Sequence, residues 1–535
     1  MKIVDQKQPK LIRALMHEDA YDHPVKSIQL IETHISWVIL TGDYAYKIKK
    51  PCNLGFLDFS TLQKRYFFCN EELRLNQKLA APIYLNLVTI TGKTTHPVLN
   101  GSGEIIEYAL KMVQFSQHAQ FDNMLTNGKV RGKHIDSFAH LLAHFHQSTE
   151  IAMPDTRFGT PDHIYHSVVK TIQKLSSCLA TIQHDQQLSE LETWVSSTFT
   201  TYKHLFEKRK QRGFIRECHG DLHLRNLLWL NDKPLAFDCL EFDPDLRWID
   251  TLSDIAFLVM DLLYKKQPRL AFRFLNIYLE QCGDYSGLPV FRFYLVYRAI
   301  IRAMVNGVSA QQAISRPKKL SLENECFAYL ALALFLAHHE RPAIIIMHGM
   351  SASGKSTISQ QITECLGAIR IRSDIERKRM FGLFGNSNMS SRLTAVHVKP
   401  NKPVGKSNIY SREADIQTYT KLKTLTKNII DAGFSVIIDA TFLKHEERQA
   451  FYNLASSKHI PFIILSVTAS ANALRQRVRK RKQDISDANI SVLEHQLATS
   501  KPLHNDELYH QIIIDTEKNL DLEELVSKIT QKMIR

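Results

Sequence analysis

The sequence predicts a chain of two or three domains, the last of which belongs to the α/β class with a mostly parallel sheet. Length is the first observation, because 535 residues are too many for a single hydrophobic core. The second is the alternation of strand patterns and helical patterns after residue 342. A helical pattern ends near residue 337, and the Arg341-Pro342 pair after it suits a domain boundary. We therefore expect one domain over residues 1–336 and another over residues 337–535.

The composition is that of a globular protein, with 44% hydrophobic and 23% charged residues. The longest apolar run near the middle, residues 327–337, is too short to span a bilayer, and the first 13 residues lack the apolar centre of a signal peptide. The eight cysteines include no Cys-x-x-Cys pair, which favours reduced thiols over disulfides or zinc. We therefore expect a cytoplasmic protein without a membrane segment. The net charge of +14 favours acidic partners, which include nucleotides as well as nucleic acids.

Near the start, a strand pattern is followed by a turn, a second strand and a helix. Residues 31–39 alternate apolar and polar side chains, residues 41–43 suit a turn, and residues 44–49 suit a partner strand that contains Lys47. In the helix that follows, Glu72 shares a face with apolar residues and should point inward. Protein-kinase-type domains hold a lysine on ATP phosphates with such a pair of strand lysine and helix glutamate. An exposed strand lysine is the alternative that the pattern leaves open.

Residues 218–242 carry the pattern of a catalytic loop. The triplet HGD ends at Asp221, Asn226 follows five residues later, and a strand pattern then ends at Asp238. In protein kinases, an aspartate at the first place accepts the proton of the acceptor hydroxyl, the asparagine binds Mg²⁺, and the strand-end aspartate bridges the metal to the phosphates. The spacing agrees at each position. The sequence HGDLHLRN followed by AFDCLEF resembles the aminoglycoside phosphotransferase family, kinase-fold enzymes that phosphorylate hydroxyl groups of small molecules.

This resemblance implies that residues 1–336 form an α+β, bilobal, protein-kinase-like domain that uses ATP and Mg²⁺. The site residues that it implies are Asp221 as the catalytic residue, Asn226 and Asp238 as metal ligands, Lys47 as the lysine on the ATP phosphates, and Glu72 as the partner of that lysine. Glu71 is the alternative partner, and either Asp250 or Asp254 could brace the catalytic loop. The chain departs from the protein-kinase pattern because it has no glycine-rich loop, and it carries no signature of aminoglycoside binding.

A phosphate-binding loop begins the second domain. An apolar strand pattern leads into Gly349, four further residues, and then Gly354-Lys355-Ser356. Glycines let backbone N–H groups surround phosphate oxygens, the lysine reaches the terminal phosphates, and the hydroxyl ligates Mg²⁺. A Gly-Ser linker is the alternative, but the strand before the motif and the helical pattern after it favour the loop. The predicted nucleotide-binding residues are Gly349, Ser351, Ser353, Gly354, Lys355, Ser356 and Thr357, and Ser356 is also a predicted metal ligand.

The rest of the second domain continues the alternation of strands and helices. Three more strands are predicted, over residues 368–372, 433–439 and 461–467. Ligands of open α/β sheets bind at the carboxyl ends of the strands, where Asp374 and Asp439 lie. We expect Asp439 to hold Mg²⁺ together with Ser356, and Asp374 to face the acceptor hydroxyl as a catalytic residue. Capping of a following helix is the alternative for each aspartate.

Six cations occur within residues 475–482. They suit a solvated helix face or a non-specific nucleic-acid patch, or else a lid whose arginines neutralise the transferred phosphoryl group. The order of the phosphate-binding loop, SDIERKRMFG, VIIDATF and this basic run resembles predicted small P-loop kinases related to polynucleotide kinases and zeta toxins. The resemblance implies Arg479 and Arg481 as catalytic lid residues and Arg377 as a substrate-binding residue. Residues 384–409 are polar without periodicity, and we expect an insertion near the acceptor site.

Together these features predict a tandem of two phosphotransferase domains of unrelated fold, which use ATP and Mg²⁺ and act on hydroxyl groups of small molecules. Nucleic acid is a less favoured partner, because no basic groove with interleaved aromatic residues is visible. One alternative is a kinase of 5′-hydroxyl nucleic-acid ends, in which residues 343–535 act and the first domain is regulatory. Another is that either domain merely regulates the other. The acceptors and the oligomeric state stay open.

Overall fold

The chain forms two compact units in its computed structural model, which describes residues 9–55, 57–179, 182–338, 341–384, 409–480 and 489–534. The first unit consists of Met1–Phe138, Ser148–Phe158 and Ile215–Asp254. The second unit consists of Ala139–Gln147, Gly159–Phe214 and Ile255–Arg535. Helices that precede residue 337 therefore group with the C-terminal sheet in the second unit. The predicted domain boundaries, residues 1–336 and 337–535, stay a prediction.

Fifteen strands occur in the described part of the chain and form four sheets. They are β1 Gln29–Glu32, β2 Ser36–Leu40, β3 Tyr44–Lys49, β4 Tyr84–Lys93, β5 His96–Leu99, β6 Ile105–Val113, β7 Ile215–Glu217, β8 Leu227–Leu230, β9 Lys233–Ala236, β10 Trp248–Asp250, β11 Ile344–His348, β12 Ile369–Arg372, β13 Val436–Asp439, β14 Phe462–Thr468 and β15 Gln511–Asp515. The first unit holds an antiparallel sheet in the order β1-β2-β3-β6-β4-β5 and the two-stranded sheets β7-β10 and β8-β9.

Eighteen α-helices occur in the same described residues. They are α1 Lys10–Ala14, α2 Leu62–Ala80, α3 Phe121–Thr126, α4 Gly132–Ser148, α5 Pro161–Ser176, α6 Ile182–Gln211, α7 Pro244–Arg247, α8 Thr251–Tyr264, α9 Pro268–Cys282, α10 Leu288–Gln312, α11 Arg316–Ala337, α12 Lys355–Leu366, α13 Ser373–Met380, α14 Arg412–Asp431, α15 His445–Ser457, α16 Ala471–Lys480, α17 Ile490–Thr499 and α18 Leu522–Ile534. Long helices dominate the second unit, which contains α5, α6 and α9 to α18.

The predicted hairpin near the start is present, but the strand before its turn is shorter than predicted. Strand β2 pairs antiparallel with β3, and Val38 lies opposite Lys47. Between β1 and β2, the Ser36 N–H donates a hydrogen bond to the Thr33 hydroxyl at 2.9 Å and closes a turn. The prediction of one strand over residues 31–39 is therefore wrong. The alternation was real, but local hydrogen bonding by a threonine side chain replaced the strand ladder at that point.

The second unit contains the parallel sheet that the sequence predicts. Its order is β12-β13-β11-β14-β15, and all four neighbouring pairs are parallel, which confirms the α/β class. The sequence analysis did not predict the edge strand β15. Ile345, Ile437 and Leu465 from three adjacent strands are buried together, and α12 and α18 pack Ile358 and Ile529 against them. The carboxyl ends of β11, β12 and β13 consequently lie side by side, where a ligand of this fold binds.

One described helix, α11, is long and apolar enough to cross a membrane when length and composition alone are considered. Core helices of globular proteins meet the same criterion. Within the second unit, Tyr329 of α11 stacks on Tyr264 with 3.8 Å between ring centroids, and the Leu336 carbonyl accepts a hydrogen bond from Arg292 at 3.3 Å. The helix thus packs through both an aromatic contact and a polar contact inside this unit.

The parallel sheet provides a test of the core. Ile437 is fully buried, whereas Ile513 on β15 is mostly exposed. Ile437→Ala should lower the free energy of unfolding by about 2–5 kcal/mol, because it leaves a cavity in a close-packed core. Ile513→Ala removes the same atoms from an exposed side chain, so the change should stay within about 0.5 kcal/mol. Urea unfolding followed by circular dichroism measures both values, and equal effects would contradict the described core.

Candidate active sites

In the first unit, Lys47 joins two carboxylates from separate segments. Its Nζ on β3 donates hydrogen bonds to Glu72 Oε1 at 2.7 Å and to Asp238 Oδ1 at 2.5 Å. The Glu72 side chain on α2 is completely buried. The sequence left Glu71 open as an alternative partner, and the structure places Glu71 against Arg74 at 2.9 Å instead. Lys47, Glu72 and Asp238, which were predicted from three distant parts of the sequence, therefore lie together.

A second lysine on the same strand face, Lys49, was not predicted. Its Nζ donates to Glu72 Oε2 at 2.7 Å and also to Glu241. Burial alone would raise the pKa of Glu72, but Lys47 and Lys49 lower it to about 2. Burial alone would lower the pKa of Lys47, but Asp238 and Glu72 raise it well above its ordinary value. The signal in the sequence was the Lys-x-Lys spacing, because residues two apart in a strand point to the same face.

The predicted catalytic loop folds around Asp221. The Asn226 Nδ2 donates to the carboxylate and to the backbone carbonyl of Asp221, both at 3.0 Å, and His223 Nε2 lies 3.3 Å from the carboxylate. Gly220 has φ of +86°, and a Cβ there would lie 2.7 Å from the carbonyl oxygen of Leu246. Only glycine allows this close approach, so the residue before Asp221 must be a glycine for the loop to keep this conformation.

Asp254, one of the two aspartates that were expected to brace the catalytic loop, binds the backbone of this loop. Its two carboxylate oxygens accept the backbone N–H groups of His219 at 3.1 Å and Gly220 at 2.8 Å. The His219 ring lies 2.9 Å from the Phe237 carbonyl through Nε2, and its Nδ1 lies 3.3 Å from the Asp221 N–H. Burial lowers the pKa of His219, so the neutral ring donates at Nε2 and accepts at Nδ1. One histidine thereby links the loop of Asp221 to the strand end before Asp238.

The residues of this site fit a divalent cation. Asp238 is half-exposed and adopts the left-handed conformation, with φ of +63°, which is rare for an aspartate and typical of functional positions. The Asn226 amide donates its N–H groups to Asp221, so its carbonyl oxygen is the atom left for a ligand. An amide oxygen and a carboxylate are the oxygen donors that Mg²⁺ prefers. The donor types therefore agree with the predicted pair of ligands, Asn226 and Asp238.

In the second unit, the predicted phosphate-binding loop connects β11 to α12. Gly349 has φ of +143°, and a Cβ there would lie 2.3 Å from the Val467 carbonyl oxygen. The Lys355 side chain is buried, and its Nζ donates to the carbonyls of Gly349 at 2.9 Å and Met350 at 2.6 Å. The buried Ser353 hydroxyl oxygen has no hydrogen-bond partner within the described residues. An inward lysine and an unpartnered buried hydroxyl fit a bound phosphate group.

Among the described residues that contact this loop from outside the motif are Arg477, Thr516 and Gln496, and none of the three was predicted as a site residue. Arg477 Nη1 donates to the Thr516 hydroxyl at 2.8 Å, and that hydroxyl donates to the Ser353 carbonyl at 3.0 Å. The Ser351 N–H donates to Gln496 Oε1 at 2.8 Å. The basic run drew attention to α16, but only the folded chain identifies which of its arginines reaches the loop.

The loop opens into a cavity of about 1060 Å³. The predicted site residues that line it are Ser351, Gly354, Lys355, Ser356, Thr357, Asp374 and Asp439. Asp439 ends β13 in register with Arg372 at the end of β12, and its Oδ2 accepts a hydrogen bond from Ser359 Oγ at 3.3 Å. Gly349 and Ser353 lie deeper in the loop. The Asp439 carboxylate and the Ser356 hydroxyl, which share this cavity, are again oxygen donors suited to Mg²⁺.

The three predicted arginines, which are Arg479 and Arg481 of the lid and the substrate-binding Arg377, differ in where they lie. Arg479 is exposed on α16, whereas Arg477 of the same helix lines the cavity. Arg481 lies outside the described residues, as does most of the predicted insertion, residues 385–408. Arg377 lines the cavity and donates to Asp415 Oδ1 at 2.7 Å. The roles of Arg377, Arg479 and Arg481 stay predictions.

Two family models match the chain at these sites. Residues 101–294 match the family described as phosphotransferase enzyme family, and residues 344–503 match the family described as AAA domain. The first match contains Asp221, Asn226 and Asp238, while Lys47 and Glu72 precede it. The second match contains the phosphate-binding loop, Asp374 and Asp439. The resemblance of the two halves to these two classes of domain is thereby confirmed.

The chain is also similar to other whole proteins and to solved structures. Uncharacterized proteins of Mycobacterium tuberculosis and Mycobacterium bovis are each 27% identical over 474 residues, which is 88% of this chain and 90% of theirs. A choline/ethanolamine kinase family protein from Mesorhizobium loti has a TM-score of 0.37, 10% identity, and coverage of 61% of this chain and 99% of its own. An unliganded sugar kinase from Janibacter sp. has a TM-score of 0.25, 20% identity, and coverage of 36% and 95%. Structural likeness at this level carries no conclusion about a substrate.

Gly349→Ala is expected to weaken nucleotide binding at the phosphate-binding loop. The added methyl group meets the Val467 carbonyl oxygen, so the loop must move, at a cost of about 1–3 kcal/mol and a loss of about tenfold or more in affinity. Gly382→Ala is the matched control, because Gly382 also has positive φ but faces open space. The measurement is binding of fluorescent mant-ATP, limited to the part that Lys355→Ala abolishes. Equal losses in both variants would contradict the geometry of the loop.

Glu72→Gln should destabilise the protein in a pH-dependent manner. The pKa of Glu72, lowered to about 2 in the folded chain by its two lysines against the effect of burial, is near 4.3 in an unfolded chain. The unfolded chain therefore binds the proton first as pH falls. The stability that ionised Glu72 contributes is complete above about pH 4.3 and is lost toward about pH 2.

Urea unfolding of wild type and Glu72→Gln between neutral pH and about pH 3 measures this difference, which should be largest at neutral pH and shrink below about pH 4.3. Glu71→Gln, one residue away and partly exposed against Arg74, is the control and should have a smaller effect. A difference for Glu72→Gln that stays constant with pH would contradict the ion pairs.

Proposed function

We propose that this chain, which combines a phosphotransferase-family domain with a P-loop domain, is a bifunctional ATP-dependent kinase that phosphorylates hydroxyl groups of small molecules. The observation that carries the proposal is the position of Lys47 between Glu72 and Asp238. A kinase needs the lysine held by a glutamate and a metal-binding aspartate at the same place. The family matches at residues 101–294 and 344–503 support phosphotransferase and P-loop chemistry in the respective halves.

In the first domain, Asp221 would orient the acceptor hydroxyl and accept its proton. A hydrogen bond from Asn226 and contact with His223 fix the carboxylate, and Asp254 fixes the backbone of the loop. Asn226 and Asp238 would hold Mg²⁺, which when bound offsets phosphate charge. Lys47 would bind the phosphates of ATP. These roles require positioned charges and no covalent nucleophile, as phosphoryl transfer generally does.

In the second domain, Lys355 and the backbone of the loop would bind the ATP phosphates, with Ser356 and Asp439 as the metal ligands. Asp374 lines the same cavity and would face the acceptor hydroxyl. Arg477 is the cation that lies against the loop, and we propose it as a lid residue alongside the predicted Arg479 and Arg481. The cavity of about 1060 Å³ has room for a nucleotide and a small acceptor.

Small acceptors are favoured over nucleic acid because two cations of the basic run already have partners within the domain. Arg475 pairs with Glu494 at 2.7 Å, and Arg477 is bound to Thr516. A nucleic-acid patch needs cations that are available to backbone phosphates. We therefore propose a cytoplasmic enzyme with small-molecule substrates and keep the kinase of 5′-hydroxyl nucleic-acid ends as the alternative.

The test is transfer of label from γ-³²P ATP into a metabolite extract and, separately, into 5′-hydroxyl oligonucleotides. Asp221→Asn and Lys355→Ala should each abolish a different labelled small molecule, with losses of about 100-fold or more. Asp232→Asn, in an exposed turn, and Lys458→Ala, in a surface ion pair, are the matched controls and should label as wild type does.

Each other outcome selects an alternative. Label that appears only on oligonucleotides, depends on Lys355 and declines steeply with salt indicates a nucleic-acid-end kinase. A variant that spares every product assigns a regulatory role to its domain. Absence of any labelled product with wild type in both substrate pools would overturn the proposal.

A further inference from the structure

Helix α9, which lies within the segment that matches the phosphotransferase family, packs on the edge of the P-loop sheet inside the second unit. Asn276 Nδ2 donates to the Ala368 carbonyl at 2.9 Å, and the Arg370 N–H donates to Asn276 Oδ1 at 2.6 Å. The side chain thus hydrogen-bonds β12 where a further strand would otherwise pair. Edge strands present unpaired backbone groups, and this side chain pairs with one carbonyl and one N–H group of the edge.

Four residues further along α9, on the same face, Glu280 binds two arginines of β12. Its Oε2 lies 3.3 Å from Arg370 Nη2, and its Oε1 lies 3.2 Å from Arg372 Nη1. All three residues are largely excluded from solvent. The Glu280 carboxylate is fixed in place, because neither it nor the two buried guanidinium groups can turn to water.

Each of these two arginines also contacts a residue that is proposed as a metal ligand. Arg370 Nη1 donates to the Ser356 carbonyl at 3.2 Å. Arg372 Nε lies 3.6 Å from Asp439 Oδ2, which is an ionic contact but longer than a hydrogen bond. An arginine side chain stays protonated in proteins, and this one contacts the carboxylates of Glu280 and Asp439. Arg372 is therefore a permanent cation shared among these carboxylates.

A guanidinium group next to a metal-binding carboxylate competes with the metal. If Arg372 closed on Asp439 it would form two hydrogen bonds to the carboxylate oxygens that Mg²⁺ requires. Glu280 offers Arg372 a second carboxylate, which lies 3.2 Å from its Nη1 while Asp439 lies 3.6 Å from its Nε. The position of Glu280 thus determines how much of the Asp439 carboxylate is left for a metal ion.

We infer that Glu280 is a positioning residue for Mg²⁺ at the P-loop site, which acts by restraining Arg372 from forming hydrogen bonds with the Asp439 carboxylate. The inference rests on the proposed nucleotide-binding function of this domain. It also extends the P-loop site to a helix that lies outside residues 344–503, the segment that matches the AAA domain. Loss of Glu280 should weaken Mg²⁺ binding, and removal of Arg372 in the same protein should restore it.

The experiment measures the Mg²⁺ concentration at half-maximal binding of mant-ATP to the full chain, limited to the part that Lys355→Ala abolishes. Glu280→Gln should raise that concentration by about tenfold, as changes next to metal ligands do. The double variant Glu280→Gln/Arg372→Gln should return to within about threefold of wild type, because the competitor of the metal is gone. Arg273→Gln is the control, since Arg273 lies on the same helix and bridges at 2.7 Å to Glu364, which is in the last turn of α12, at the opposite end from Ser356.

Binding of mant-ATP without Mg²⁺, measured in the same samples, separates a metal effect from a folding defect. It should be unchanged in Glu280→Gln, and its loss would assign Glu280 to the fold and overturn the inference. A double variant as weak as the single one would overturn it too, as would an unchanged single variant. Absence of Lys355-dependent binding in wild type would instead overturn the proposed function of the P-loop domain, and the inference with it.

Discussion

A charge buried in a protein must be met by an opposite charge, and this constraint organises the first unit around Glu72. Its carboxylate has no exposure to water, and it stays ionised because Lys47 and Lys49 donate to its two oxygens. Lys47 also reaches Asp238, which follows β9. One carboxylate therefore ties α2 to β3 and to the segment after β9, and the same ion pairs fix the geometry that phosphoryl transfer requires.

The second unit also contains a buried lysine, Lys355, at its phosphate-binding loop. Lys355 donates to two backbone carbonyls, which carry only partial charges. An anionic phosphate is a stronger hydrogen-bond partner for the lysine than a carbonyl dipole. A phosphate bound in the loop would therefore replace these carbonyls as the acceptor. The acceptors described at Lys47 are carboxylates, whereas the two carbonyls that Lys355 binds belong to the phosphate-binding loop itself.

Local patterns in the sequence predicted what depends on neighbouring residues. The alternation of strands and helices predicted the parallel sheet, and the contiguous motif around Lys355 predicted the loop between β11 and α12. Helical periodicity predicted an inward Glu72. Arg477 and Glu241 were missed, because their partners are distant in sequence and only the folded chain brings them together. Strand β15 was missed for a similar reason, since its short apolar run acquires meaning only beside β14.

Borders drawn from sequence matches need not coincide with the parts of a chain that depend on one another. The phosphotransferase match ends at residue 294 and the P-loop match begins at residue 344, yet α9 from the first covers the edge strand β12 of the second. A P-loop domain cut free before residue 344 would expose the backbone of β12 and leave Arg370 and Arg372 without Glu280. Two buried cations would then lack their carboxylate beside the proposed metal site. The helix is therefore part of the physical unit that builds this site, whichever family its sequence matches.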